Sequence, residues 1–338
     1  MKTLLTLALL TPWLATAAEW VNISDSITNQ FTKPGTYGPT AGVAVDRLSG
    51  DVFMVASDYG IWQSTDQGKT FARADDQAIG GRCETGWALQ PDPGGQRMFC
   101  FMIYGSSAMT TDGGKTWAKS KVSHLDYGGV DWADTGKRLL GLRHESGGML
   151  TTSDDGGATW KDLERGFHNC GVFDRNTFVA TKAKEKGIFR STDAGSTWTQ
   201  VSTNTPFAAV PVVADGIGYW ATGKGLLTSG DLGATWTDLG SPVDASFGPF
   251  LGLSRPRPRP PIGVLRPIGY VEKDERHFVV VGKSGFAESK DGGKTWQVVA
   301  PLPPGFGAGR VGPNYAWDAK GNIFYASTMG KPTFKYQR

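Results

Sequence analysis

The sequence predicts an all-β fold: a seven-bladed β-propeller of four-stranded antiparallel blades, its ring closed by the N-terminal strand. Three observations carry the prediction. A phrase of eight residues recurs as STDQGKTF from Ser64, TTDGGKTW from Thr110, SDDGGATW from Ser153, STDAGSTW from Ser191, SGDLGATW from Ser229 and SKDGGKTW from Ser289. Its aspartates, Asp66, Asp112, Asp155, Asp193, Asp231 and Asp291, are 46, 43, 38, 38 and 60 residues apart, and periods of about 40 residues built of short strands belong to propellers rather than to helical repeats. Each period also reads alike: an apolar strand, a Gly/Asp/Pro turn, a second strand such as DVFMVAS or HFVVVG, a shorter one such as GIWQS, the phrase, and a last strand such as TWTQVS.

Every residue type in the phrase has a physical task. A tight turn between the third and fourth strands needs an acceptor for backbone N–H groups, which the Asp supplies, and a residue tolerant of positive φ, which the Gly supplies. The Ser or Thr at each end adds a hydroxyl bond, and the terminal Trp or Phe buries between neighbouring sheets. On this reading the six aspartates are scaffold.

Blade number follows from the two ends of the chain. After the sixth phrase comes NYAWDAKGNIFYASTMGKPTFKYQR, in which YASTMGKPTFKY parallels VASDYGIWQS of the first unit. That supplies three strands. The fourth is expected from residues 19–24, EWVNIS, which match TWTQVS and TWKDLE; pairing first with last removes a sheet edge open to aggregation. Residues 249–267, PFLGLSRPRPRPPIGVLRP, intrude in the 60-residue step. They read as a solvated polyproline-like loop, as translated intron sequence or as a recognition arm for acidic glycans, with a strand expected around 268–272.

A chain of 338 residues that is 39% apolar, with 47 glycines, can bury a sizeable core. Its first residues, MKTLLTLALLTPWLATA, place Lys2 before an apolar run and end on the small-residue pattern Ala15-Thr16-Ala17. This predicts a secretory signal over residues 1–17 and a single propeller domain over 18–338. No other apolar run approaches the roughly 20 residues of a membrane span. Lys2 and the proline-rich arginines Arg255, Arg257, Arg259 and Arg266 account for the formal charge of +3; the remainder is close to neutral, which argues against a nucleic-acid-binding face. Cys83, Cys100 and Cys170 allow at most one disulfide, and Asn22-Ile23-Ser24 is an acceptable N-glycosylation sequon. The expected state is a secreted monomer.

Chemistry is expected on the face opposite the repeated turns, where loops entering the innermost strands meet those joining second and third strands. The repeat places Tyr59, Tyr104, Asp126, Tyr127, Arg143, His144, His168 and Arg310 at or near that rim, together with Glu84, Asp131 and Glu145. Carboxylates, tyrosines and cations of this kind suit sugar binding, because aromatic faces stack on the ring and charged groups bond hydroxyls. GLRHESGG, around Arg143 to Gly148, departs most from its counterparts in the other blades, so the repeat does not demand His144 and Glu145. Glu145, Asp131 and Glu84 are the candidate catalytic carboxylates, one acid and one base or nucleophile, as glycoside hydrolysis requires. An elimination using Tyr104 or Tyr127 with His144 is an alternative. His124, His144, His168 and His277 lack metal-ligand spacing, and no cofactor motif is present.

The repeated phrase resembles the Asp-box (BNR) repeats of the sialidase-like propeller superfamily. GIWQSTDQGKTF, GIFRSTDAGSTW and GLLTSGDLGATW look most like the repeats of the family 74 xyloglucan-active hydrolases, and are similar to those of sortilin/Vps10 and Ycf48-type propellers. The resemblance implies a propeller with its repeated turns on the outer, lower face. It implies a polysaccharide or oligosaccharide as partner if the family 74 likeness carries function, and a non-catalytic glycan- or protein-binding module if the other two do. Family 74 enzymes usually pair two propellers around catalytic aspartates, whereas this chain has length for one. The arginine motif of true sialidases is missing. The reading is therefore a secreted, carbohydrate-active propeller, with glycoside hydrolysis first, a binding module second and a polysaccharide lyase third.

Overall fold

Seven four-stranded antiparallel sheets make up the molecule; six run in chain order from an innermost strand outward, and the seventh takes the chain's first strand as its outermost. The computed structural model describes residues 19–33, 35, 38–75, 79–81, 88–92, 94–133, 136–214, 216–222, 225–240, 266–267, 277–282, 284–306 and 314–338. The innermost strands, among them Thr40–Val45, Leu89–Pro91, Leu125–Val130, Phe167–Val172 and Asn314–Asp318, touch their neighbours around the ring, as a propeller requires. Among the described residues the helix is Asp25–Thr28, one turn long, and no helix is long and apolar enough to cross a membrane.

The ring closes as the sequence predicts. Trp20–Asn22 is the outer strand of the seventh blade and pairs antiparallel with Phe334–Gln337, Trp20 opposite Tyr336 and Asn22 opposite Phe334. Asn22, the sequon asparagine, donates from Nδ2 to Asp25 and accepts from the N–H and hydroxyl of Ser24. In the sixth blade Arg266–Pro267 pairs with Val281 and Val280, so the first strand falls at the end of the segment read as an intrusion. The expected strand at 268–272 and the signal segment 1–17 lie outside the described residues.

The repeated turn behaves alike in all six copies. In the fourth blade the Ser191 hydroxyl donates to Asp193 Oδ1 at 2.7 Å and accepts the Gly195 N–H at 2.8 Å, while Thr197 bonds Asp193 through both N–H and hydroxyl. Gly195 sits at φ +89, where a side chain would be strained, and its carbonyl accepts from the Trp198 indole. In the third blade the Trp160 indole also reaches Ser120 of the preceding blade at 2.8 Å, so the terminal aromatic ties blades together. Between the blades, fully buried Phe53, Phe99, Phe101, Phe178, Trp220 and Tyr325 supply much of the apolar packing.

These bonds make the turns sensitive to acid. The hydroxyl and N–H of Thr197 hold Asp193 down at about 2, and the equivalent threonines do the same for Asp112, Asp231 and Asp291. A carboxylate whose folded-state pKa lies below its unfolded value contributes stability above the unfolded value, and that contribution is lost as pH falls through the folded one. Stability is therefore expected to hold from pH 7 to about 5 and to fall progressively between about 4 and 2, read as melting temperature against pH. A melting temperature unchanged down to pH 2 would contradict this account of the turns.

A second repeated turn lies at the same end of the blades, joining first and second strands. Asp46 accepts the N–H groups of Leu48 and Ser49, Asp92 that of Gly94, Asp174 those of Asn176 and Thr177, and Asp318 that of Gly321. Asp131 is the third-blade member: it is 4% exposed and accepts the Ala133 N–H at 3.1 Å.

Candidate functional site at the seam of blades two and three

Strand polarity sorts the candidate residues onto two faces. The third blade's innermost strand, Leu125–Val130, starts on the upper face beside Arg143 and ends beside Leu139 on the face of the repeated turns. Asp131 follows that lower end, so a strand of six residues, about 20 Å at 3.3 Å per residue, separates it from Glu145. Of the three candidate carboxylates, Asp131 and Glu145 are thus not brought together: one residue is a turn carboxylate below, the other an exposed loop carboxylate above. Glu84 and Arg310 lie outside the described residues, as does Cys83.

On the upper face the structure gathers Tyr104, His124, Asp126, His144 and Glu145. Tyr104 comes from the loop between Met98–Cys100 and Ser106–Thr110 of the second blade. His124 lies at the crossing into the third blade, and His144 and Glu145 follow Leu139–Arg143. The ladder register shifts between Leu125 and Tyr127, leaving Asp126 in a β-bulge; bulges re-aim side chains and recur next to active sites. Asp126 Oδ1 lies 2.6 Å from His144 Nδ1, and the Tyr104 hydroxyl lies 3.4 Å from His144 Nε2. Glu145 Oε1 is 3.9 Å from the same Nε2.

These contacts assign the tautomer of a neutral imidazole. An ionised Asp126 only accepts, so His144 Nδ1 carries the proton and Nε2 is left as an acceptor for the Tyr104 hydroxyl. The ring itself is enclosed, with the His144 side chain 9% exposed, whereas Tyr104 is 52% exposed and the Glu145 side chain 68%. His124 meets the Tyr104 ring edge-on at 4.9 Å. Tyr104, His124 and Glu145 all have left-handed backbones, at φ +52, +60 and +49. Such conformations cost about 1–3 kcal/mol each and cluster at functional sites.

The loop that carries His144 is anchored at several points. His144 N–H donates to the His124 carbonyl at 2.8 Å, and Ser146 bonds back to the Arg143 carbonyl and accepts the Met149 N–H. Gly148 has φ +76, and a Cβ there would stand 2.2 Å from the Phe167 carbonyl oxygen. Gly148→Ala is expected to cost about 1–3 kcal/mol and to weaken whatever the site binds or converts, because it pushes the His144 loop off the fourth blade. A variant with unchanged melting temperature and unchanged activity would show that this close approach does not hold the loop.

Other candidates have structural partners. Tyr127 is buried and its hydroxyl donates to the His168 carbonyl across the seam to the fourth blade. Tyr59 stacks on Phe31 at 3.8 Å and 7° and donates to the Lys33 carbonyl. Arg143 bonds Asp162 at 2.7 Å. Cys100 and Cys170 are free and buried; burial pushes the Cys100 thiol up to about 12 and Cys170 higher still, which removes the thiolate a nucleophile needs. Among the described residues no group of His, Cys, Asp or Glu side chains is arranged to hold a metal. The strongest partner of His144, Asp126, was on the rim by its repeat position but was not among the candidate catalytic carboxylates. The signal that could have raised it is the local order His124-Leu125-Asp126 at a strand entrance.

Fold and site together define a seven-bladed β-propeller with an Asp–His–Tyr array on the upper face. Solved structures similar to it are propellers of differing roles. A structure of Ycf48 bound to D1 peptide is 15% identical with a TM-score of 0.53, the match covering 96% of this chain and 97% of that one. The C-terminal WD40 domain of Sif2 is 11% identical with a TM-score of 0.57, covering 89% and 96%. The GH74 enzyme of Niastella koreensis is 16% identical with a TM-score of 0.39, covering 87% of this chain and 56% of that one. At such low identity the Ycf48 and Sif2 matches, with TM-scores above 0.5, bear on the fold alone. No protein-family profile and no curated protein matches the sequence.

Proposed function

We propose that the protein is a secreted, carbohydrate-active propeller and that the array Asp126, His144 and Tyr104 is its proton-transfer centre. The observation that carries the reading is the enclosed imidazole with a carboxylate on one nitrogen and a phenol beside the other. Neither contact belongs to the repeated turns. The likeness of the repeated phrase to family 74 supports a glycan as substrate.

The same observation favours elimination over hydrolysis. Hydrolysis needs two carboxyl groups facing each other across the glycosidic bond, about 5–9.5 Å apart; of the two carboxylates described at this site, Asp126 is engaged by His144 Nδ1 and Glu145 alone is exposed. Elimination needs a base for the acidic proton beside a uronate carboxyl and an acid for the leaving oxygen. His144 Nε2 takes the C5 proton, the C4–O bond breaks as C4=C5 forms, and the Tyr104 hydroxyl protonates the departing oxygen. The imidazolium then returns its proton to the phenolate across the Tyr104–His144 contact, which restores both groups. Glu145, exposed beside the imidazole, is placed to meet a sugar hydroxyl.

The test is to incubate the purified protein with uronate-containing and neutral wall polysaccharides and to read both unsaturated-product absorbance and new reducing ends. Absorbance and ends together on the uronate polymers are the expected result. Reducing ends alone would return the reading to hydrolysis. The near end-to-end match to a peptide-bound propeller supports a second reading, a peptide-binding module; silence toward every glycan with binding on a peptide array would establish it in place of the first. Mass analysis of the exported protein for a new N-terminus near residue 18 and a glycan on Asn22 tests the secreted part of the proposal.

A further inference from the structure

One polar group on the upper face is left unused by this array. His168 occupies in the fourth blade the position that Asp126 occupies in the third, second residue of the innermost strand. It too is bulged, because the register shifts between Phe167 and Asn169. The first blade's innermost strand has a register shift at its own entrance, between Thr40 and Val43, where it carries Ala41 and Gly42. Bulging therefore recurs with the fold, whereas a polar side chain at the bulge does not.

The bulge of His168 is held from both sides. Tyr127 of the third blade donates its hydroxyl to the His168 carbonyl, and the side-chain amide of the next residue, Asn169, donates to the Pro206 carbonyl at 3.3 Å. Cys170 N–H bonds the Ala209 carbonyl. The backbone of His168 is thus fixed, yet its ring makes no hydrogen bond or ion pair among the described residues. The charges nearest in the ladder are committed elsewhere: Lys182, opposite Phe167, lies over the Phe189 ring at 4.6 Å and pairs with Glu185 at 3.2 Å. Partial burial lowers the His168 pKa below its ordinary value and so favours the neutral ring.

From this we infer that His168 is a substrate-positioning residue, forming with the neighbouring array a binding strip across blades two, three and four, and that it bonds a sugar hydroxyl next to the cleaved residue. A neutral imidazole offers one donor and one acceptor, which is what a hydroxyl offers in return, whereas a carboxylate only accepts. The inference rests on the glycan reading of the same face. It adds a subsite and its chemistry, an uncharged hydroxyl rather than a second acid group.

The experiment uses the full protein and the polysaccharide that it degrades best. His168→Ala is expected to raise KM about 3- to 10-fold with kcat within about 2-fold, because a bond made equally in ground and transition states changes KM alone. His168→Gln, whose amide also donates and accepts, is expected to recover most of that loss. If the alanine variant does not fold, His168→Leu, which keeps the half-buried volume, takes its place with the same expectation. Unchanged KM, or a fall in kcat that tracks a lowered melting temperature without recovery by Gln, would overturn the role of His168 while leaving the glycan reading intact. A wild-type protein that degrades and binds no glycan would overturn that reading and the inference with it.

Discussion

Deleting residues 19–24 is expected to lower the melting temperature by about 10 °C and to make the unheated protein prone to self-association. The segment links three blades. Trp20 packs on Tyr336 of the seventh blade and Phe286 of the sixth, with ring centres at 5.3 and 5.5 Å, and its indole donates to the Pro301 carbonyl. Ile23, 5% exposed, packs with Val43 and Val45 of the first blade and Tyr325 of the seventh. Its N–H donates to the Thr333 carbonyl, and the buried Ser24 hydroxyl accepts the Thr333 N–H. Burying two such side chains is worth about 1.5–3 kcal/mol each, and a few strand hydrogen bonds add about 1 kcal/mol apiece. The sum is on the order of 7 kcal/mol, and an unfolding entropy of about 2.1 cal/mol/K per residue converts it to the stated shift. The unpaired edge of Phe334–Gln337 then invites intermolecular strand pairing. Calorimetry and light scattering check both parts; an unaltered melting temperature would mean that the ring does not depend on this strand.

If the proposed elimination is correct, replacing His144 by Ala is expected to lower turnover by about 10²- to 10⁴-fold, the range for a positioned acid or base. The variants around it separate the possible roles. Tyr104→Phe removes one hydroxyl from a half-exposed ring and is expected to lower kcat about 100-fold at constant melting temperature, as loss of a general acid does. Asp126→Asn takes away the charge that favours a proton on His144 Nδ1 and is expected to lower kcat comparably while leaving KM nearly unchanged. Glu145→Gln is the discriminating change: elimination retains kcat within a few-fold, and hydrolysis through Glu145 loses it. Asp131→Asn, in the lower turn, is expected to lower stability by about 1 kcal/mol without altering kcat. Steady-state kinetics on the uronate polymer, with a thermal melt for each variant, read all of these. An His144→Ala enzyme with wild-type kcat would remove the array from the mechanism.

Much of the fold was legible in the sequence because it repeats. The turn chemistry of Asp193, Gly195 and Thr197 is local, spanning five residues, and six copies of it at similar spacing report a common blade before any long-range contact is known. Closure was legible for a related reason: the final unit is short by one strand, and residues 19–24 have the pattern of the strand that is missing. The site was legible only in part. His144 and Glu145 stood out because GLRHESGG breaks the repeat, and Tyr104 stood on the expected rim. Their association with Asp126 depends on a bulge, which has no composition signal here, and on contact between loops of adjacent blades.

By itself, then, the sequence determined the blade, the number of blades and the strand that joins the ends, since each follows from a locally hydrogen-bonded turn repeated at spacings of about 40 residues and from a final unit one strand short. Only the tertiary structure decided which polar residues share a face. Asp131 and Asp126 belong to one strand and its turn, five positions apart in the chain, yet one caps a lower turn and the other orients an imidazole above. Alternation along a strand tells side from side of a sheet but not end from end. The ends are assigned by strand polarity and ladder register, and the meeting of Tyr104 with His144, 40 residues apart, by the packing of one blade against the next.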